Sequence, residues 1–129
     1  MKATLSVRET SYQAKSTSHE ANGLNVPILT VSGRLDASTV SILERALIRT
    51  LLQGAQVVIV EMSGVTYISS SGLRILLSAR RQARERGGDV LLSSLSSSVR
   101  DVLDMVGFTV LFSIYRSLDD AKRTLDRVD

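Results

Sequence analysis

Val57-Val58-Ile59-Val60-Glu61-Met62-Ser63-Gly64-Val65-Thr66-Tyr67-Ile68-Ser69-Ser70-Ser71-Gly72-Leu73-Arg74 is the stretch whose reading decides the fold. Val57 to Met62 has no polar alternation, the pattern of a strand covered on both faces in the middle of a sheet. Ser63-Gly64 then reads as a turn that brings the chain to three successive serines. Leu73 to Arg86 follows as an amphipathic helix, with Leu73, Leu76, Leu77 and Ala83 inward and Arg74, Arg81, Arg84 and Glu85 outward, stopped at Gly87-Gly88. A buried strand feeding a helix through a short polar connection is half of a β-α-β unit. That calls for a largely parallel sheet with right-handed crossovers.

The same logic extends outward. Leu5-Ser6-Val7-Arg8 alternates and Val26 to Val31 is β-rich, so two early strands are predicted, the second ending at Gly33. Between them residues 10–25 form a polar hairpin insertion with some strand of its own, turning at Asn22-Gly23. Pro27 lacks a ladder donor and belongs at a strand start or on an unpaired side. Ser38-Thr39 opens a first helix in which Val40, Leu43, Leu47 and Leu51 recur at helical spacing and Gly54 is the stop.

Val90-Leu91-Leu92 is a short strand. Ser98, with Asp101 three residues on, opens a short helix carrying Val99, Val102, Leu103 and Val106 and ending at Gly107. Phe108 to Ile114 is apolar and β-prone, which predicts a last strand. Ser117 then caps a helix with Asp119 and Asp120 in its first turn and Ala121, Leu125 and Val128 on one face. The predicted order is β-β-β-α-β-α-β-α-β-α, without repeats or linkers.

Bulk properties narrow the function classes. A chain of 129 residues, 43% apolar and 22% charged, reads as one domain spanning 1–129. With 4% aromatics and no Trp, its core is filled by aliphatic side chains, which favours α/β over an aromatic-rich barrel. The absence of cysteine excludes disulfides, thiolate metal sites and a cysteine nucleophile, and is compatible with the cytoplasm. No stretch approaches the ~20 apolar residues of a membrane span, and the N-terminus has no signal-like apolar region. A net charge of +3 is well below that of a dedicated nucleic-acid binder, so no direct nucleic-acid partner is expected.

Ser69, Ser70 and Ser71 carry the candidate site. One serine suffices to cap a helix, and three leave hydroxyls to spare where the dipole and free N–H groups favour an added anion. Read from residue preferences alone, all three are equally well caps and turn formers. Asp36, just before Ala37-Ser38, is either a cap for the first helix or part of a contact surface. Gly33 and Gly72 are backbone requirements first. The arginines at 74, 80, 81, 84 and 86 lack interleaved aromatics and read as a solvated face, with Arg74 set apart by its nearness to the serines. His19 is the single histidine, and no Gly-x-Ser-x-Gly elbow is present, so no enzymatic activity, cofactor or metal is expected.

Two of these segments resemble the STAS domains, and among them the bacterial anti-sigma-factor antagonists. Gly33-Arg34-Leu35-Asp36 is similar to the family's glycine, small or charged residue and Leu-Asp at the end of an early strand. Ser69-Ser70-Ser71-Gly72-Leu73 is similar to its Asp-Ser-Ser/Thr-Gly-Leu phosphorylation motif, with Ser69 where the Asp is usual. Val102 to Phe108 and Leu118 to Ala121 look like the family's closing elements, so the likeness covers residues 1–127.

The resemblance implies a four- to five-stranded mixed sheet with about four helices packed mainly on one face. It implies phosphorylation of Ser70, with Arg34, Asp36, Ser69, Ser71, Gly72 and Arg74 at the partner-binding surface. The implied partners are a serine-kinase anti-sigma factor of the GHKL ATPase type, which binds the unphosphorylated chain, and a metal-dependent serine phosphatase that resets it. A scaffold STAS subunit of a stress-sensing or lipid-transport complex is the alternative role.

Overall fold

The computed structural model describes residues 4–15 and 24–126. The Asn22-Gly23 turn, His19 and Val128 lie outside the described residues. β1 (Leu5–Ala14) and β2 (Leu24–Leu35) pair antiparallel without interruption from Leu5 opposite Gly33 to Ala14 opposite Leu24. The described ends of the expected insertion over residues 10–25, Thr10–Ala14 and Leu24–Asn25, continue these two strands, and residues 16–23 lie outside the described residues. Alternation explains why its polar residues are compatible with that: Tyr12 and Ala14 turn inward onto Val26, while Ser11 and Gln13 stay exposed. Pro27 sits opposite Ser11, one residue before β2 begins to pair on its other edge.

The chain continues through α1 (Val40–Leu52), β3 (Val57–Ile68), α2 (Ser70–Glu85), β4 (Asp89–Ser93), α3 (Ser97–Met105), α4 (Phe108–Leu111), β5 (Ile114–Tyr115) and α5 (Leu118–Leu125). Two strands precede α1 among the described residues, where three were expected. The sheet runs β1-β2-β3-β4-β5, with β1 antiparallel and every later pair parallel. It is the mixed five-stranded α/β sheet anticipated.

The central strands are apolar on both faces because both are covered. Leu29, Val31, Val58, Val60, Val90 and Leu92 point into the larger core against Leu43, Leu47, Leu76 and Leu103 of α1, α2 and α3. The alternate residues Val26, Ile28, Ile59 and Leu91 meet Ala121 of α5 in a smaller core. Helices therefore lie mainly on one face, with α5 alone on the other.

Four local expectations are corrected. Ser63-Gly64 does not turn the chain; β3 runs on to Ile68, and the extra residues are absorbed as irregularities against β2 between Thr30 and Ser32 and between Gly33 and Arg34. Gly64 permits this, since a Cβ there would lie 2.4 Å from Ser32 Oγ. The capping serine of α3 is Ser96, whose Oγ accepts from Val99 N–H at 3.3 Å, rather than Ser98.

The predicted strand over Phe108 to Ile114 is instead one helical turn and a two-residue strand. Gly107 enters at φ +82°, and Phe112 N–H donates to Phe108 O at 2.8 Å. The i,i+4 spacing of the two phenylalanines, ring centroids 5.4 Å apart, stacks one ring above the other over this turn and brings both to the core side. Leu77, placed inward by the sequence pattern, is only half-buried, and Ala79 takes the buried position instead.

Candidate functional site

The two motif stretches meet at the C-terminal ends of β2 and β3. The parallel register sets Arg34 beside Tyr67 and Leu35 beside Ile68, and Ser69 N–H donates to Leu35 O at 2.9 Å. Gly72 is pressed against the same strand end, where a Cβ would stand 2.8 Å from Leu35 Cγ and 2.9 Å from Ile68 Cγ1. Gly33 has φ +114°, and a Cβ there would fall 2.3 Å from Thr4 O. Gly33 is required by its backbone conformation and the closeness of the neighbouring strand, and Gly72 by the packing of the helix entrance against two side chains.

The three serines have three different environments. Ser69 is the N-cap residue of α2 by backbone conformation, yet its side chain makes no capping bond and its Oγ is buried without a partner. Ser70 is the first residue of the helix and is exposed, while Ser71 is half-buried. Among the described residues the first turn of this 16-residue helix therefore has no side-chain acceptor, and its positive end is open beside the Ser70 hydroxyl. α2 begins three residues ahead of the predicted start at Leu73, which puts Ser70 and Arg74 one turn apart on one helix face, both exposed.

The neighbouring turn is held by its own hydrogen bonds. The Asp36 carboxylate accepts from Ser38 N–H at 3.0 Å and from the Ser38 hydroxyl at 2.7 Å, and these bonds hold its carboxyl below the usual carboxylate range. Thr39, 2% exposed, closes the turn by donating to Arg34 O at 2.7 Å while accepting from Asp36 N–H at 3.0 Å. Asp36 thus orders the entry to α1, and Thr39 rather than Asp36 occupies the N-cap position. The Arg34 guanidinium lies 4.2 Å from the Tyr67 ring centroid and 3.7 Å from Asp36 Oδ2. Tyr67, 42% exposed, belongs to this surface and was not singled out by the sequence. Its partnership with Arg34 depends on the irregular β2–β3 register, which residue types do not encode.

The arginines of α2 are not one solvated stripe. Arg80 and Arg84 lie 3.7 and 3.6 Å from Asp89, and Arg86 donates to Leu51 O at 2.8 Å. Arg74 and Arg81 have no ion-pair partner among the described residues. No group of three His, Cys, Asp or Glu side chains is placed to hold a metal among the described residues, and no described helix is long and apolar enough to cross a membrane.

A second polar cluster escaped sequence reading. Glu61, 7% exposed on β3, accepts from Ser63 N–H at 2.7 Å, Ser93 Oγ at 2.8 Å and Ser94 Oγ at 2.7 Å. Burial pushes its carboxyl up, but the hydrogen bonds from Ser63, Ser94 and Ser93 outweigh it and leave the group below the ordinary value. Ser94, at φ +61°, is held in that conformation where β4 leaves the sheet. The cluster pins the bulged part of β3 to the end of β4.

Comparison with known proteins is consistent with this architecture. The chain is 29% identical over 107 residues to the putative anti-sigma factor antagonist BtrV of Bordetella bronchiseptica, covering 83% of this chain and 90% of that protein. The fold is similar to that of an anti-sigma factor antagonist from Mycobacterium paratuberculosis, with TM-score 0.72 and 22% identity over 93% of this chain and 96% of that one. It is also similar to SpoIIAA in its unphosphorylated form, an anti-sigma factor antagonist, with TM-score 0.68 and 17% identity over 93% of this chain and 100% of that one. The STAS domain family model matches residues 19–121, most of the chain, and the protein belongs to the STAS domain family.

Proposed function

We propose that the chain is an anti-sigma-factor antagonist whose docking to a cytoplasmic serine-kinase anti-sigma factor of the GHKL ATPase type is switched by phosphorylation of Ser70. The observation that carries this reading is the exposed Ser70 hydroxyl on the first turn of α2, beside a helix end that no side chain caps. Similarity to BtrV and to SpoIIAA, a protein known in both unphosphorylated and phosphorylated forms, supports it.

The chain acts by binding, as the kinase's substrate and ligand. Unmodified Ser70, with Ser71 and Arg74 on its own helix and Arg34 and Asp36 on the adjoining turn, forms a close-fitting contact, and the buried Gly72 and Ser69 hydroxyl beneath it set the position of the helix entrance. Phosphate adds about −1.5 to −2 charges and three acceptor oxygens. At a helix N-terminus that charge is favourable to the domain, so the fold persists and the penalty falls on the partner. A loss of roughly 3–4 kcal/mol at the interface changes affinity a few hundredfold. A metal-dependent serine phosphatase would restore the binding form.

The test is to incubate the chain with its kinase and ATP, locate the phosphate by mass spectrometry, and measure kinase binding of Ser70→Ala and Ser70→Glu. Phosphate on Ser70, retained binding by the alanine variant and weak binding by the glutamate variant are the expected results. Equal affinity of the two variants, or phosphate elsewhere, overturns the mechanism.

A further inference from the structure

Met105, Val106, Val110 and Leu111 form an apolar surface that the Ser70 site does not use. They are 84%, 48%, 91% and 40% exposed. The two pairs stand on either arm of one tight turn, in which Val110 N–H donates to Gly107 O at 3.3 Å. Single exposed aliphatic residues are ordinary, but a contiguous group of four is characteristic of an interaction surface. The turn also has an alternative that it does not take: as a strand this segment would have paired on the sheet edge, whereas the helical α4 directs Val110 outward.

Charges of opposite sign bracket the patch. On one side Leu111 shares an open cleft with Leu77, Arg80, Arg81, Arg84 and Glu85 of α2. On the other, Asp104 adjoins Met105 at the end of α3, with Asp101 one turn earlier, both exposed. Arg81, Asp101 and Asp104 have no ion-pair partner among the described residues. An anionic membrane would be attracted by one flank and repelled by the other. A two-fold interface needs a self-complementary surface, in which one copy's basic flank meets the other's acidic flank across an apolar centre.

We infer that this face is the interface of a homodimer: a second copy of the chain seats its Met105, Val106, Val110 and Leu111 against the same residues, with Arg81 of each copy facing Asp104 of the other. Burial of the apolar centre drives association, and the two symmetry-related charge pairs set the orientation.

The full chain is tested by light scattering on a size-exclusion column, at loading concentrations up to on the order of 100 μM, because a dimer of this kind is concentration-dependent. Two-chain mass is expected for the wild type and one-chain mass for Val110→Asp. Arg81→Glu and Asp104→Arg each place like charges at both symmetric contacts, so each alone is expected as a monomer. Mixed one to one, they restore opposite charges at both contacts and are expected to recover the two-chain mass. All these positions are exposed, and circular dichroism melts verify that the variants stay folded. A monomeric wild type, a dimer that survives Val110→Asp, or single charge variants that dimerise as the wild type does overturns the inference. So does failure of the mixture to recover the dimer, or binding of the wild type to anionic vesicles that Val110→Asp abolishes while the protein in solution is monomeric.

Discussion

Ser69 N–H donates to Leu35 O at 2.9 Å, and this one bond joins the end of β2 to the start of α2. Leu35 belongs to the Gly33-Arg34-Leu35-Asp36 segment and Ser69 to the serine run, so two stretches separated by 32 residues of sequence become one surface. The contact is tight because Gly72 lets α2 approach the Leu35 side chain. Ser70 is thereby held out from the sheet end on a rigid base.

Gly72→Ala should strike this junction directly. The added methyl meets Leu35 Cγ at 2.8 Å and Ile68 Cγ1 at 2.9 Å, and both belong to side chains already packed in the core. A loss of about 1–3 kcal/mol is expected from such overpacking, read by urea denaturation. Gly54→Ala meets no atom within 4 Å and tests only backbone strain, at φ +95°. The two variants thus separate crowding from conformation.

The helix-entry serines should respond unequally to alanine. Ser96 and Ser117 accept from Val99 N–H at 3.3 Å and Asp120 N–H at 3.1 Å, so each truncation should cost about 1 kcal/mol. Ser69 makes no such bond and leaves a buried hydroxyl without a partner. Ser69→Ala should therefore be neutral or slightly stabilising. A thermal-melt series of the three variants reads the ordering.

Acid should loosen the β3–β4 connection through Glu61. Its folded-state carboxyl lies below the ordinary value of 4.5, so the folded protein holds a proton less readily than the unfolded chain does. The resulting stability is fully present above that ordinary value and is lost as pH falls through the lower, folded one. Glu61→Gln removes this pH dependence and also puts an amide donor where a carboxylate oxygen accepted, costing about 1–3 kcal/mol near neutral pH. Denaturant midpoints measured from pH 7 downward should converge for wild type and variant as the medium becomes acidic.

Periodicity made the framework legible. Val57-Val58-Ile59-Val60 and Val90-Leu91-Leu92 read as central strands because apolar residues on both faces have few other uses, and α1 and α2 carried their stops at Gly54 and Gly87 in plain view. Phe108 to Ile114 failed on the same grounds: a short apolar run has no period that separates strand from helix, and the left-handed Gly107 decided it. The site was legible in part. Ser70 stood out by residue type, but its exposure, and the burial of the Ser69 hydroxyl beside it, depend on which way α2 leaves the sheet.

Composition and spacing alone determined that this is an α/β chain, where its strands and helices recur, and which hydroxyls crowd one helix entrance, because those properties follow from local burial patterns and backbone preferences. Tertiary structure decided that Arg34 meets Tyr67, that Glu61 gathers Ser63, Ser93 and Ser94, and that Val110 faces outward. Each of these depends on strand register and on how separate elements dock, and a docking geometry is set by the sum of contacts across the whole core rather than by any single stretch of chain.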